Sequence, residues 1–377
     1  MNSIVNNPGV KEIIKLMVIE NTYLHAVKMK AIGLTQCPEI SQVSNSIQML
    51  EVQVPRPAIK EVAIQLSASA MHIDEIYAAQ GTALGRFFAP NTPTAENPHL
   101  LGSSVSGVVV DLGDAVDEFD IGDEVIVIPS EMGETGSWAE YRCVPVKRVM
   151  IKPEQINHVE AAALTMASTV AWGAVKKSKV KAGSRCVVVG ASGAVGNLTL
   201  QFLKSLGCHV TAVCSGANEQ FVRAYGADEV IDYTQHDFGE TLYLAGQKQD
   251  AVFDFVGGHG IETEALKVLN STGRFITVVG PEKYIGEEKL SRWQFFKLFS
   301  YIVVRMLTSL ISGPRYIFCA TLPRLVIHGA LEQAISKDIR IPIDEVIPFE
   351  KDAISQSMKR LLTHRAKGRI VIDFSKK

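Results

Sequence analysis

The chain has 377 residues, 47% of them hydrophobic, enough for two packed domains with cores of their own. Its formal net charge is −2 and its pI about 6.5, which by itself suggests neither nucleic acid nor an anionic surface as the main partner. Six cysteines are scattered without CxxC spacing, the pattern of reduced, buried thiols in an intracellular protein.

Residues 1–28 form an extension. In it Val10, Ile13, Ile14, Met17 and Val18 recur at roughly helical spacing, predicting a short amphipathic helix, packed on the globule or loose. The segment has no arginine and carries Glu12 and Glu20, a poor match to a transit peptide or secretory signal. Met29 to Pro145 reads as many short strands, clearest at 61–66 and 105–110, punctuated by Gly113, Gly122 and Gly133. This predicts an all-β, barrel-like lobe. An alanine-rich helix is predicted over 159–175. From Ser184 to about Ala320, strands alternate with helices. The strands are expected at 185–189, 210–214, 229–231, 251–255, 274–279 and 316–319, as a doubly wound parallel sheet. The tail from Leu322 reads helix, strand, helix, strand and is expected to return to the first lobe. The expected division is therefore 1–28, 29–150 with 322–377, and 151–321.

The most informative stretch is Val187 to Gly196, an apolar β-branched run entering a glycine turn that opens a helix. Val195, Leu198, Leu200, Phe202, Leu203 and Leu206 carry that helix, Gly207 closes it, and a second apolar strand follows. Strand, glycine turn, helix, strand is the dinucleotide-binding unit. Gly190, Gly193 and Gly196 serve the tight turn, the close approach of a pyrophosphate, and helix–strand packing. The helix start, with Ser192, Ala194 and Val195, offers free N–H groups to the phosphates.

Trp293 to Ile311 departs from this pattern. It is nearly long enough to span a membrane, yet Lys297 and Arg305 lie inside it, which disfavours spanning. Its apolar residues run almost all the way round a helix. Two readings follow: a helix buried under the cofactor domain or in a homodimer interface, which is preferred, or a helix lying on a membrane.

Together these features resemble the medium-chain dehydrogenase/reductase superfamily from Met29 to the C-terminus, and within it the zinc-free, zeta-crystallin-like quinone oxidoreductase branch. The resemblance is carried by Leu101-Gly-Ser-Ser-Val-Ser-Gly-Val-Val, Phe119-Asp-Ile-Gly-Asp-Glu-Val, Gly136-Ser-Trp-Ala-Glu-Tyr, the 190–196 turn, Gly226-Ala-Asp-Glu-Val-Ile-Asp-Tyr, Phe253-Asp-Phe-Val-Gly-Gly and Ala366-Lys-Gly-Arg-Ile-Val-Ile. It implies an α/β fold: a doubly wound parallel Rossmann sheet that binds NADP, plus a mainly β, GroES-like catalytic lobe.

The resemblance also sets residue roles. The zinc branch holds its metal with Cys, His and Cys and has a Glu beside the His. Those positions here are His72, Ser103 and Met166, with Ser104 at the Glu. One plausible ligand of three cannot hold tetrahedral zinc, and no metal site is expected. Ser215 stands where an acid would select NAD. Ser215, Asn218 and Tyr233 can accommodate a 2′-phosphate, Ala217 replaces a frequent lysine, and Arg223 is expected to supply the missing charge, so NADP is favoured. Val256, Gly280 and Lys367 complete the expected cofactor contacts.

At the substrate end, Tyr77 matches a tyrosine near the substrate; it either holds the substrate oxygen and relays a proton, or packs against the barrel. His72 is either a polar pocket wall or a satisfied core histidine. Val170 stands where a threonine often meets the nicotinamide amide. The implied activity is NADPH-dependent reduction of a quinone or α,β-unsaturated carbonyl in the cytoplasm. The rivals are an enoyl-thioester reductase and a non-catalytic NADPH-binding scaffold or membrane-docked regulatory protein. A mitochondrial or membrane-associated location is the alternative to the cytoplasm.

Overall fold

The computed structural model describes residues 28–39, 42–82, 92–127, 136–283, 291–319 and 324–376. The helix expected over 10–18 lies outside these residues, as does Gly133.

The first lobe begins with β1 (Lys28–Leu34), α1 (Val43–Ser46), β2 (Gln48–Gln53), β3 (Glu61–Ala70), α2 (Ile73–Gln80), β4 (His99–Leu100), β5 (Ser104–Leu112), β6 (Glu124–Val127), β7 (Tyr141–Pro145) and β8 (Val149–Ile151). Strands β2, β1 and β4 form a small sheet. The long strand β3 pairs antiparallel with β5, in a register that sets Ala70 opposite Ser104. Two register shifts interrupt that ladder, and such bulges bend a sheet toward closure.

The nucleotide-binding region is introduced by α3 (His158–Ser178). Its start is a capping box: Asn157 Oδ1 accepts the Glu160 N–H at 2.9 Å, and Glu160 Oε2 accepts the Asn157 N–H at 3.0 Å. Then follow β9 (Arg185–Val189), α4 (Ala194–Ser205), β10 (His209–Cys214), α5 (Glu219–Ala224), β11 (Glu229–Asp232), α6 (Phe238–Leu244), β12 (Gln249–Asp254), α7 (His259–Val268), β13 (Leu269–Thr277), α8 (Arg292–Ile311) and β14 (Arg315–Phe318). The six strands are all parallel in the order β11-β10-β9-β12-β13-β14. Counted along the chain this is 3-2-1-4-5-6, the doubly wound arrangement. The apolar runs of the inner strands, Cys186–Val189 on β9 and Ala251–Phe253 on β12, are buried on both faces.

The tail supplies α9 (Arg324–Ser336), β15 (Ile343–Pro348), α10 (Lys351–Leu362) and β16 (Arg369–Asp373). Strand β16 pairs antiparallel with β3, Val371 opposite Ala70, so the tail joins the seven-stranded sheet of β15-β16-β3-β5-β6-β8, with β7 also on β3. Helix α3 packs on β3 and β5 on one side and on α4 and α9 on the other. Its alanines belong to one core that runs from Ala68, Ala70 and Val371 to Val188 and Phe253.

Two expectations need correction. Cys37 is exposed and Cys143 half-buried; the other four thiols are buried. Helix α8 is not buried beneath the cofactor domain. Leu298, Ile302 and Ser309 face inward, but Trp293, Phe296, Phe299, Leu307 and Leu310 are exposed. Apolar residues all round a helix fit burial, but the helix lies over β14, the outermost strand of the sheet, and among the described residues of this one chain only one of its faces has a neighbour.

Candidate functional site

Gly190 ends β9 with φ +80°, a backbone that side-chain-bearing residues rarely adopt. Its N–H and that of Ala191 donate to Val213 O on β10. A Cβ on Gly196 would sit 2.2 Å from Gly190 O, so helix and turn close only with glycine there. Gly193 is the N-cap of α4 and supplies no side-chain cap. The first helical bond runs from Asn197 N–H to Gly193 O. The N–H groups of Ala194, Val195 and Gly196 precede it and point out of the helix end, where the dipole favours an anion. Ser192 is half-exposed on the same turn.

The neighbouring strand ends are locked by a hub that the sequence reading missed. Asp254, fully buried at the end of β12, accepts from Val256 N–H at 3.0 Å, Gly257 N–H at 2.8 Å and Thr277 Oγ1 at 2.8 Å. Thr277 Oγ1 in turn accepts the Gly280 N–H at 3.0 Å. Burial pushes the Asp254 carboxyl up, while these donors pull it down. A Cβ on Gly190 would meet Val256 Cγ2 at 3.0 Å, so Val256 closes over the turn. Gly280, at φ +97°, abuts Phe318 and Ile302.

At the end of β10, Ser215 caps a short 3-10 turn and Asn218 caps α5; both are half-exposed. Tyr233 is exposed beside them, its N–H on Cys214 O. Arg223 does not reach toward this rim as expected. Its Nε donates to Glu219 Oε1 at 2.8 Å and its Nη1 to Asp228 O at 3.2 Å, because the i,i+4 partner Glu219 captures it.

A second cluster lies in the first lobe. The β3–β5 register places the start of α2 beside Ser103 and Ser104. The His72 Nε2 shares a 2.7 Å hydrogen bond with Ser104 Oγ. Burial, aided by Arg369, holds His72 well below its usual pKa, so the ring is neutral. Ser103 Oγ donates to Glu75 Oε1 at 2.5 Å, and the His72 N–H donates to Glu75 Oε2 at 3.2 Å. Burial pushes Glu75 up to about 7, against these hydrogen bonds and the Arg369 charge. Arg142 and Arg369 are drawn down to about 10 by burial and stay cationic at neutral pH; Arg142 Nη1 donates to Ser137 Oγ.

Tyr77 is buried on α2, and its hydroxyl meets His364 Nε2 at 3.3 Å. Lys367, three residues beyond His364, is exposed. Met166 and Val170, one turn apart on α3, are half-buried where their neighbours are buried. Helix α3 packs on β3, β5 and β13, and so links the two clusters. Arg142, Arg369 and His364 were absent from the expected site, and no local pattern marked them. Glu75 lies in the Met71–Gly81 segment, which resembles the family's nicotinamide-lining stretch and has an acid at this position, and it closes the capping box with His72.

Residues 58–154 match the family described as alcohol dehydrogenase GroES-like domain, and residues 225–372 the family described as zinc-binding dehydrogenase. The mitochondrial NAD(P)H oxidoreductase RTN4IP1 of Mus musculus is 37% identical over 235 residues, 59% of this chain and 58% of its own length. The chain spans about half the length of the mitochondrial relatives it matches. The chloroplastic quinone-oxidoreductase homolog of Spinacia oleracea is 30% identical over 61% of this chain and 71% of its own length. Among solved structures, the quinone oxidoreductase of Coxiella burnetii superposes with a TM-score of 0.75 at 24% identity, covering 92% of this chain and 99% of its own, a likeness of fold. With the 3-2-1-4-5-6 sheet and the glycine turn at its centre, these matches show that the chain belongs to the medium-chain dehydrogenase/reductase superfamily, in its quinone oxidoreductase branch.

Proposed function

We propose that the protein is a zinc-independent, NADPH-dependent reductase of quinones or α,β-unsaturated carbonyls. The observation that carries this reading is the state of the metal position. His72 is hydrogen-bonded to Ser104, Ser103 to Glu75, and the third position is the thioether of Met166. A hydroxyl, a thioether and one engaged imidazole do not fit tetrahedral zinc. Reduction of an electron-poor alkene or quinone requires no Lewis acid.

The residues at the other cluster fit a dinucleotide. Gly190, Ser192, Gly193, Ala194, Val195 and Gly196 would hold the pyrophosphate on the α4 N-terminus. Ser215, Asn218 and Tyr233 would meet the ribose 2′-phosphate, and Val256, Gly280 and Lys367 the nicotinamide half. When bound, the cofactor supplies a hydride. That hydride would go to the β-carbon of an enone, shifting the alkene pair toward the carbonyl carbon and the carbonyl pair onto its oxygen, and the α-carbon would then take a proton. Tyr77, steadied by His364, would hold that oxygen or pass the proton from water. On this reading residues 151–321 form the cofactor domain and 29–150 with 322–377 the substrate lobe. The name of the mouse relative supports a mitochondrial setting as the alternative to the cytoplasm.

The test is turnover with NADPH and a panel of quinones and enones, before and after chelator, with elemental analysis. Activity that survives chelation in zinc-free protein is expected. One zinc per chain, lost together with activity, would overturn the reading.

A further inference from the structure

Helix α8 turns its apolar side to solvent. Its inner face is fixed: Leu298 and Ile302 are buried, and Glu262 on α7 accepts from Arg305 Nε at 2.7 Å and from Tyr301 Oη at 2.8 Å. A surface helix anchored this way normally shows charges on its far side. Here the far side carries Trp293, Phe296, Phe299, Val303, Leu307 and Leu310, with Trp293 63% and Leu310 61% exposed.

The charges on α8 have one sign. Between Arg292 and Ile311 there is no Asp or Glu. Arg305 is committed to Glu262, which leaves Arg292 and Lys297 at the rim of the apolar face. Lys297 lies over the Trp293 ring at 5.5 Å, and Trp293 stacks on Phe296. An aromatic end, basic rim and apolar face are what an interfacial helix offers to lipid. A net charge of −2 for the whole chain does not oppose this, because attraction to headgroups acts within about 10 Å.

We propose that α8 docks the protein on an anionic bilayer, lying in the plane of the interface with this face in the acyl boundary and Arg292 and Lys297 at the phosphates. It lies on the membrane and does not cross it. Strands β13 and β14 are hydrogen-bonded neighbours in one parallel sheet, so both ends of α8 return to the same globule. A second copy of the chain is the weaker occupant. Two α8 helices paired face to face give Arg292 and Lys297 no acidic partner on the helix, whereas phosphates do. The proposal is independent of the reductase reading.

The test uses the full chain and sedimentation with vesicles of phosphatidylcholine alone or with one third phosphatidylglycerol. Binding to the mixed vesicles, weakened by salt, is expected. Brominated lipid should quench Trp293, since Trp138 is buried and Trp172 half-buried. Phe296→Glu and Leu307→Glu, both at exposed positions, should each lower the bound fraction roughly tenfold while NADPH titration stays unchanged. Three results would overturn the proposal. One is no binding to mixed vesicles. Another is binding that survives both substitutions, which puts the contact elsewhere, residues 1–27 included. The third is a dimer in light scattering that Phe296→Glu splits into monomers.

Discussion

Ser103 donates a 2.5 Å hydrogen bond to the buried carboxyl of Glu75. The two residues are 28 positions apart in the chain. Burial makes Glu75 a proton-binding group of the folded chain, lifting its pKa from 4.5 to about 7 against the downward pull of that hydrogen bond.

The first prediction follows from the sign of that shift. Between pH 4.5 and about 7 the folded chain holds a proton that the unfolded chain has released. Its contribution to stability is therefore full below 4.5, declines as pH rises through this window, and is lost above about 7. The full loss is on the order of 3 kcal/mol. Urea unfolding of wild type and Glu75→Gln at about pH 5 and about pH 8 reads it. Wild type should lose stability relative to the variant as pH rises; parallel profiles would assign the titration elsewhere.

The second prediction concerns Gly196. A Cβ there would sit 2.2 Å from Gly190 O, and neither backbone can yield without opening the turn. Gly196→Ala should cost about 1–3 kcal/mol in stability and weaken NADPH at least tenfold. Calorimetry and cofactor titration measure the two effects. An alanine variant that binds as wild type would remove the turn from the cofactor site.

The third prediction is that NADPH binds more tightly than NADH, and that Ser215→Asp reverses the order. The new carboxylate would repel a 2′-phosphate and accept from a 2′-hydroxyl. Arg223 is held by Glu219 and Asp228, so Arg223→Ala should leave the cofactor ratio nearly unchanged. Fluorescence titration with both cofactors decides, and equal wild-type dissociation constants would sink the idea.

The fourth prediction separates chemistry from packing at Tyr77. Tyr77→Phe keeps the ring and loses the bond to His364. A catalytic hydroxyl predicts kcat lower by roughly 10²-fold with NADPH affinity and melting temperature retained. Unchanged kcat would reduce the residue to a wall of the barrel.

What could be read from the chain was what local chemistry determines. The β9 run, the turn at Gly190 and the helix behind it stand next to one another, and each has a period or a glycine to mark it. The meeting of His72 with Ser104 had no such mark. It depends on the β3–β5 register, which sets Ala70 opposite Ser104 across 34 positions. Arg369 arrives from β16 at the far end of the chain. Helix α8 shows the opposite failure: its apolar composition was plain, but the face that meets the protein follows from the sheet's strand order. For Arg223 the Glu219 spacing was visible, and the local i,i+4 ion pair takes the guanidinium.

The alanine-lined face of α3 has a consequence for motion. Ala161, Ala162 and Ala167 share one continuous core with Ala68 and Ala70 of the barrel and with Val188 and Phe253 of the parallel sheet. Lobes joined by a thin, polar contact swing freely; lobes that share a hydrophobic seam do not. The two halves are therefore expected to melt as a single cooperative unit, which calorimetry would show as one transition.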